Sequence, residues 1–198
     1  SHQRFGAGVR GGDGGRGGSV YAGGDLSLQV DNSVINAGPS GLIASGGNAT
    51  ITAGNLVNAP GANIIAGMQS DGKLLAGVTA PNLSITTNYG LHNQGNLSAG
   101  GDISIKGNGG DVHLGGSTNA GGNIGLRGES IGISGSLVTA KDLEVQAKAD
   151  FRIEGSGQIG GNAHVTTGGA FSLDGQFTVN KDLNLTAGGV TTRPGSFL

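Results

Sequence analysis

The side chains that could act as acids and bases are few and widely spaced in this sequence. Glu144 and His164 are the closest approach to an acid–base pair, because each occupies the same position in a repeated phrase, twenty residues apart. A glycosidase needs two carboxylates within about 5–10 Å, and a lyase-type site needs several acids and bases on one face. One carboxylate beside one imidazole is typical of a solvated surface pair. The sequence therefore predicts that the protein is not an enzyme.

Residues that could bind a metal ion are equally sparse. The four histidines, His2, His92, His113 and His164, show no His-Glu-x-x-His spacing, and the chain has no cysteine. A calcium-binding β-roll needs a Gly-rich period of about nine residues that carries Asp, and no such period occurs. We predict no metal site and no cofactor, and we expect His113 and Arg152 to be surface residues.

Composition narrows the possible partners. The 198 residues include 44 Gly, the hydrophobic fraction is 35%, and the formal net charge is −2. A near-neutral chain lacks the electrostatic attraction that supplies most non-specific affinity for nucleic acid, so we expect no nucleic-acid partner. No apolar run approaches the roughly 20 residues that span a bilayer, so we expect no membrane insertion.

A short phrase recurs along the chain: small residues or Lys, then Asp or Asn, then apolar, variable, apolar. Between the Asp or Asn positions, successive copies are separated by 23, 34, 20, 21, 19, 20 and 20 residues. The eight Asp or Asn positions are Asp25, Asn48, Asn82, Asp102, Asn123, Asp142, Asn162 and Asp182. A period of about twenty residues indicates stacked units that bury their apolar faces against one another.

Each unit is predicted to contain three short strands. The apolar-variable-apolar triplet has the period of a strand with one buried face. Second triplets follow at Val112–Leu114, Ile131–Ile133, Phe151–Ile153 and Phe171–Leu173. A weaker third element follows a glycine column at Gly95, Gly116, Gly135, Gly157 and Gly175, with Leu97, Thr118, Leu137, Ile159 and Phe177 two positions on. The unit has no helical segment, so the prediction is an all-β parallel β-helix, a solenoid of about 8–9 coils.

Stacking of coils predicts contacts between like residues. Phe151 and Phe171 should lie one above the other, where an aromatic pair adds about 0.5–1.5 kcal/mol beyond area burial. The Asp or Asn before each first strand is expected to adopt left-handed geometry and to bond its own backbone. On the opposite, outward side, Ser27, Thr50, Ser84, Ser104, Gly125, Glu144, His164 and Asn184 should form one column.

One step of the repeat is irregular. The 34-residue step predicts an insertion at about 62–80, and Asp71-Gly72 inside it is a strong hairpin signal; an ordinary coil with a longer loop is the alternative. We predict an irregular Gly-rich entry at residues 1–19, β-helix at 20–190, and a tail or the start of the next coil at 191–198. Insertions in solenoids often form the binding face, so the candidate binding residues are Gln69, Ser70, Asp71, Gly72 and Lys73.

The repeat also resembles a known family. The phrases Ala99-Gly100-Gly101-Asp102-Ile103-Ser104-Ile105, Ala120-Gly121-Gly122-Asn123-Ile124 and Ala187-Gly188-Gly189, with Asp71-Gly72-Lys73-Leu74, resemble the haemagglutinin repeats of filamentous haemagglutinin and the contact-dependent inhibition exoproteins. The likeness covers about residues 20–190. It implies a right-handed β-helix within a long bacterial protein that crosses the outer membrane through a two-partner secretion transporter. The Asn-Pro-Asn motifs of the family's secretion domain are absent, so we expect an interior segment.

The resemblance sets the functional expectation. It implies a structural or adhesive rod, secreted to the bacterial cell surface, that contacts a host or bacterial receptor or glycan, or that forms the stalk of a contact-dependent inhibition toxin. A pure spacer that binds nothing is an alternative, because a regular polar face serves both roles. A polysaccharide-active enzyme on the scaffold of the pectin lyases is the alternative from another class, and it would require clustered acids in a cleft.

Overall fold

The computed structural model describes residues 9–10, 12–13, 16–69, 71–73 and 80–198. All regular structure in these ranges is β-strand, and they contain no helix that could span a membrane. In chain order the strands are β1 (Val9–Arg10), β2 (Gly12–Asp13), β3 (Arg16–Gly17), β4 (Ser19–Ala22), β5 (Leu26–Gln29), β6 (Ser33–Asn36), β7 (Leu42–Ser45), β8 (Ala49–Asn58), β9 (Asn63–Ala66), β10 (Leu83–Asn93), β11 (Asn96–Ala99), β12 (Ile103–Gly107), β13 (Asp111–Leu114), β14 (Ser117–Ala120), β15 (Ile124–Gly128), β16 (Ile131–Ile133), β17 (Ser136–Thr139), β18 (Leu143–Ala147), β19 (Phe151–Ile153), β20 (Ser156–Ile159), β21 (Ala163–Thr167), β22 (Ala170–Leu173), β23 (Gln176–Val179), β24 (Leu183–Thr186) and β25 (Gly189–Thr192).

Apart from β2 and β3, which form a separate antiparallel pair, the strands stack in parallel on three faces of a solenoid of about 8 turns. The first face carries the strands that follow the repeated Asp or Asn, such as β12, β15 and β18, and the second face carries β13, β16, β19 and β22. These two faces form one 15-stranded sheet, because β8 and β10 each run across both. The third face is an eight-stranded sheet from β4 to β23. The predicted parallel β-helix is therefore confirmed.

The registers of the strands confirm most of the predicted columns. Each repeated triplet pairs with the next, for example Ile103 with Ile124 and then Leu143, and the second triplets pair in the same way. The predicted glycine column of the third face was wrong at one coil. Ser136 pairs with Ser156, so the column continues through Gly155 and not Gly157. Gly157 takes the inward position between Leu137 and Phe177, where the ring of Phe177 lies against its backbone.

An apolar column fills the interior. Alternation buries every second side chain in most strands, and the buried hydrophobic residues of all three faces form one continuous cluster. Phe151 and Phe171 stack as predicted, with ring centroids 5.6 Å apart, and Phe177 lies 6.3 Å from Phe171. All three rings are almost completely buried. These aromatic contacts hold the C-terminal coils together.

The N-terminal coils bury amides where the C-terminal coils bury aliphatic side chains. Asn36, Asn58 and Asn93 end the second-face strands of successive coils and are inaccessible to solvent. Asn36 Nδ2 donates to Asn58 Oδ1 (2.9 Å), and Asn58 Nδ2 donates to Asn93 Oδ1 (2.8 Å). We call these three residues the inner amide ladder. It was not predicted from the sequence.

The Asp and Asn of the repeated phrase do something different from what the sequence predicted. Among the described residues only glycines have positive φ, so the backbone of these Asp and Asn residues is not in the left-handed region. Each side-chain Oδ1 instead accepts the backbone N–H of the equivalent residue in the next coil, as Asp102 does from Asn123 (2.7 Å) and Asn123 from Asp142 (3.0 Å). This outer Asx ladder runs from Asp25 to Asp182, with its other links at Asn48, Asn82, Asp142 and Asn162.

The irregular step lies at the corner between the third and first faces. Strand β9 belongs to the third-face ladder, so the longer connection begins after Ala66 and not at residue 62. Residues 67–82 connect β9 to β10, where a regular corner such as 100–102 uses three residues. At the N-terminus the ladder reaches into the segment predicted to be irregular, because Val9–Arg10 pairs with Val34–Ile35. At the other end Gln176 bridges to Phe197.

Candidate functional site

The outward column of the first face has the order that the sequence predicted. Strand registers place Ser104, Gly125, Glu144, His164 and Asn184 in line, one per coil. Glu144 and His164 are therefore neighbours, but the hydrogen bond that Glu144 accepts comes from Gln146 Nε2 (2.9 Å). Both side chains are exposed. Glu144 lines a depression with Asp102 and Asp142, and each of these two aspartates accepts a backbone N–H from the next coil.

A depression with mixed polar and apolar walls lies on the second face. We call it the second-face groove; its volume is about 510 Å³, and its outward lining residues are Asn55, Val57, Gly90, His92, Asp111, His113, Ser130, Gly132, Asp150 and Arg152. Two outward columns form it, because alternate residues of a strand point to the same side. Gly90 and Gly132 lack side chains and so deepen the groove at two levels.

Two imidazoles stack in the wall of this groove. His92 and His113 occupy paired positions of β10 and β13, with ring centroids 4.5 Å apart and an angle of 25° between the rings. Gln94 Nε2 lies 3.5 Å from His92 Nε2, and Ser134 Oγ lies 3.4 Å from His113 Nε2. Partial burial, and then the nearby His113, lower the pKa of His92 below its ordinary value of 6.5. At neutral pH the ring of His92 is therefore uncharged.

Charged groups border the groove on its C-terminal side. Arg152 donates from Nε and Nη2 to Asp174 Oδ2 (2.9 and 2.5 Å), and its Nε lies 3.5 Å from Glu154 Oε1. Arg193 Nε lies 3.0 Å from Asp174 Oδ1, so Asp174 joins two guanidinium groups. The hydrogen bond to Asp174, and then the negative charge of Asp174, raise the pKa of Arg152 above its ordinary value. Because Asp174 holds Arg152 in place, this edge of the groove is fixed.

An exposed aromatic side chain stands at the corner that leads into the groove. Strand β10 has an irregularity relative to β8 between Thr87 and Gly90, and the extra residue places Tyr89 outward. Tyr89 is 71% exposed, and Cδ2 of its ring lies near Gly54 of the neighbouring coil. A chain with only seven aromatic residues, all but two of them Phe, thus presents one of its two tyrosines to solvent beside the groove.

The insertion that carried the predicted binding residues is described in part. The N–H of Gly72 donates to the carbonyl of Gln69, and the N–H of Gln69 donates to the carbonyl of Lys73 (both 2.8 Å), which closes a hairpin-type turn. Gly72 has φ +83°, and Asp71 Oδ1 accepts the N–H of Lys73 (3.0 Å). Of this pair, only Gly72 has a positive φ. Ser70 and residues 74–79 lie outside the described residues.

The insertion and the groove are separate surfaces. The insertion leaves the third-face corner, where the hydroxyl of Tyr21 donates to the carbonyl of Met68 (3.0 Å), whereas the groove lies on the second face. The sequence predicted that His113 and Arg152 lie at the surface. It did not predict that they share one groove with His92, Asp111 and Asp150. The signal was present in the register: His92 and His113 are twenty-one residues apart, one repeat.

The second-face groove presents hydrogen-bonding groups and aromatic rings. Within the described ranges, no three residues of the His, Cys, Asp and Glu types are grouped closely enough to hold a metal ion. The groove combines carboxylates at Asp111 and Asp150 with the imidazole stack and the hydroxyl of Ser130. Such a set of donors, acceptors and ring faces can bind a polar, ring-containing ligand from solution.

Comparison with known proteins gives the family. The family model described as Haemagglutinin repeat matches residues 4–79, 69–134, 127–189 and 174–197, which together run along nearly the whole chain. No curated protein and no solved structure matches. The three longer matched segments each span several coils of the solenoid. The chain therefore belongs to the haemagglutinin-repeat family.

Proposed function

We propose that this chain is an adhesive segment of a secreted bacterial surface exoprotein, and that its second-face groove makes the contact with the target surface. The single observation that carries the proposal is the groove itself, a concave surface of about 510 Å³ lined by imidazole and carboxylate side chains. A pure spacer needs only a uniform polar face. The stacked His92 and His113 beside exposed Tyr89 depart from that uniformity.

The partner that fits this surface is a cell-surface glycan, either free-standing or carried on a host or bacterial receptor. Aromatic rings such as Tyr89 pack against the apolar face of a sugar ring, and carboxylates such as Asp111 and Asp150 accept hydrogen bonds from its hydroxyls. The groove is open along the rod axis, so it can receive an internal stretch of a chain as well as an end. The proposed contact requires no chemical step, and we propose a non-enzymatic role.

Export and location follow the family and belong to the same proposal. The parent protein would cross the outer membrane through a two-partner secretion transporter and fold at the cell surface. Each coil makes most of its contacts with its two neighbours, so folding can propagate along an emerging chain without a distant partner. The stalk of a contact-dependent inhibition toxin would use the same rod, and the binding experiment below separates that role from adhesion.

The experiment compares two glycine substitutions that are matched in their setting. Gly132 lies in the floor of the second-face groove, and Gly125 lies in the outward column of the first face; an added Cβ meets nothing closer than 3.6 Å at Gly132 and nothing within 4 Å at Gly125. Gly132→Gln should fill the groove, whereas Gly125→Gln should not. Both variants should fold, which far-UV circular dichroism and the unfolding transition will check.

Binding of the parent and both variants to a glycan panel and to host and bacterial cells gives the readout. We expect the parent and Gly125→Gln to bind and Gly132→Gln to lose binding. A third variant, with Gln69, Asp71 and Lys73 changed to Ala, tests the insertion. Loss of binding in that variant alone would move recognition to the insertion. Absence of binding by the parent would overturn the adhesive role and leave a spacer.

A further inference from the structure

The corner between β12 and β13 exposes the sequence Asn108-Gly109. Both residues are exposed, and Gly109 has φ +83°. The chain contains sixteen asparagines, and Asn108 is the only one that a glycine follows. We propose that Asn108 is a site of spontaneous covalent modification, in which the folded protein converts this side-chain amide to a carboxylate.

The reaction needs only water. The deprotonated backbone nitrogen of Gly109 attacks Cγ of Asn108, the new N–C bond forms, and the Cγ–N bond of the amide breaks to release ammonia. The five-membered succinimide then adds water at either carbonyl, and one C–N bond of the ring breaks. The product at this position is an aspartate, or its β-linked isomer in which the main chain runs through Cγ. Glycine favours the first step because it has no side chain to obstruct the attack.

The structure leaves the attacking nitrogen free. Within the described ranges, the N–H of Gly109 donates no hydrogen bond, and the side chain of Asn108 makes none. Seven other asparagines precede an N–H that is already bonded to a backbone carbonyl outside the regular strand ladders, which opposes deprotonation and rotation. Those bonded groups are the N–H of Ala49, Ala59, Leu83, Gln94, Ile124, Ala163 and Lys181.

The corner can also accept the products. A Cβ built at Gly109 would meet only the carbonyl oxygen of Asn88, at 3.7 Å, so the corner is open on this side. Asn108 lines a depression of about 400 Å³ together with Arg127 and Lys148. Arg127 forms no ion pair with any described residue, so a carboxylate at position 108 would have two cationic side chains and the carboxylate of Glu129 along the same depression. The modification would add one negative charge beside them.

The experiment incubates the folded parent protein at body temperature and mildly alkaline pH and maps the products by peptide mass spectrometry. We expect Asn108 to convert first, to a mixture of the two aspartyl isomers, with a shift of one negative charge in isoelectric focusing. That shift should be lost in Asn108→Gln. Asn32, which a serine follows, is the internal comparison and should convert later.

A heat-unfolded sample of the parent separates the sequence from the fold. Conversion of Asn108 in the unfolded sample but not in the folded protein would overturn the proposal, because the corner would then hold Asn108 away from the geometry of attack. Earlier conversion of another asparagine in the folded protein would also overturn it. Neither result bears on the adhesive role, because the corner is not part of the second-face groove.

Discussion

The N-terminal and C-terminal coils solve the same packing problem with different chemistry. At the last inward position of the second face, three successive coils use the inner amide ladder of Asn36, Asn58 and Asn93, and the next four use Leu114, Ile133, Ile153 and Leu173. Both sets are buried to the same degree. The comparison shows that the solenoid constrains the stacking of like on like, and that it accepts either amides or aliphatic side chains when neighbouring coils agree.

A matching residue in the neighbouring coil matters most for the buried Asn side chains, because their amides bond one another. Besides its two ladder bonds, Asn58 Nδ2 donates to the carbonyl of Asn96 (3.1 Å), and Asn93 Nδ2 donates to the carbonyl of Ser117 (3.2 Å). The ladder thus ties the interior to the corner carbonyls of the following coil. An aliphatic column makes no such directional contacts, so its members are individually replaceable by residues of similar size. Substitutions in the two regions should therefore behave differently.

The largest effect is expected in the aromatic part of the C-terminal coils. Phe171→Ala removes a ring that contacts both Phe151 and Phe177, and it should lower the free energy of unfolding by about 3–5 kcal/mol, since the cavity cannot close fully. Denaturant titration followed by circular dichroism measures the loss. Phe171→Leu, which keeps most of the volume, should cost clearly less. Equal costs for the two variants would mean that the rings do not stabilise the column by packing.

The next largest loss of stability is expected when one member of the inner amide ladder is replaced. Asn58→Leu inserts into this column the side chain that Leu114 has in another coil, yet we expect a loss of about 2–3 kcal/mol. The amides of Asn36 and Asn93 would each lose a partner while they stay buried. Denaturant titration again gives the value.

Replacing the whole ladder tests this reasoning. In the triple variant Asn36→Leu, Asn58→Leu, Asn93→Leu no buried amide of the ladder is left unpaired, and stability should return towards that of the parent, because removing all partners together is far less costly than removing one. If the three substitutions instead add, each amide acts alone, and the contrast between the two regions is one of composition only.

The two regions also differ in how well their inward positions could be predicted from the sequence. The second triplets were recognised where they are apolar at both ends, as in Phe171-Ser172-Leu173, and overlooked in Val34-Ile35-Asn36, Leu56-Val57-Asn58 and Leu91-His92-Asn93. Periodicity identifies an inward position by its apolar side chain. An inward Asn breaks the pattern, because its partners are amides one coil away that a single unit does not reveal.

Register errors have a similar origin. Gly155-Ser156-Gly157 offers two glycines for one column, and the apolar Ile159 favoured the wrong one. The inward position at Gly157 is empty because Phe177 of the next coil fills the space, which is a compensation between coils. The second-face groove was unpredictable for the same reason, since it arises from outward side chains of five coils whose sizes vary independently of the buried repeat.

A smaller effect is expected outside the interior of both regions, in the outer Asx ladder. Asn123→Ala removes the acceptor for the N–H of Asp142 and should cost about 1 kcal/mol, as a single exposed hydrogen bond does. Asn123→Asp keeps an acceptor but places a third carboxylate between Asp102 and Asp142. The loss of unfolding free energy in Asn123→Asp should therefore become smaller when salt is added, whereas the loss in Asn123→Ala should not change. Salt-independent losses in both variants would rule out repulsion along the ladder.

The smallest effect concerns the outer surface at the junction of the two regions, where Asn93 gives way to Leu114 and His92 stacks on His113. The pKa of His92 is lowered in the folded protein, so the unfolded chain takes up the proton first as the pH falls. The contribution of His92 to stability is thus complete above pH 6.5 and is lost as the pH falls through the lowered pKa of the folded state. His113 and the neighbouring Asp111 are the titratable groups that face it; Val57 and Gln94 carry no charge.

Because His92 is largely exposed, solvent screening should keep this loss below about 1 kcal/mol. The measurement is the difference in unfolding free energy between the parent and His92→Gln, followed from neutral to mildly acidic pH, so that the carboxylates common to both cancel. We expect the difference to change across this range, and a reduced change when His113→Gln has removed the second ring. His164→Gln is the control, since His164 faces Glu144 and not an imidazole. A pH-independent difference for His92→Gln would show that stacking, rather than charge, is all that the pair contributes where the amide interior ends and the aliphatic interior begins.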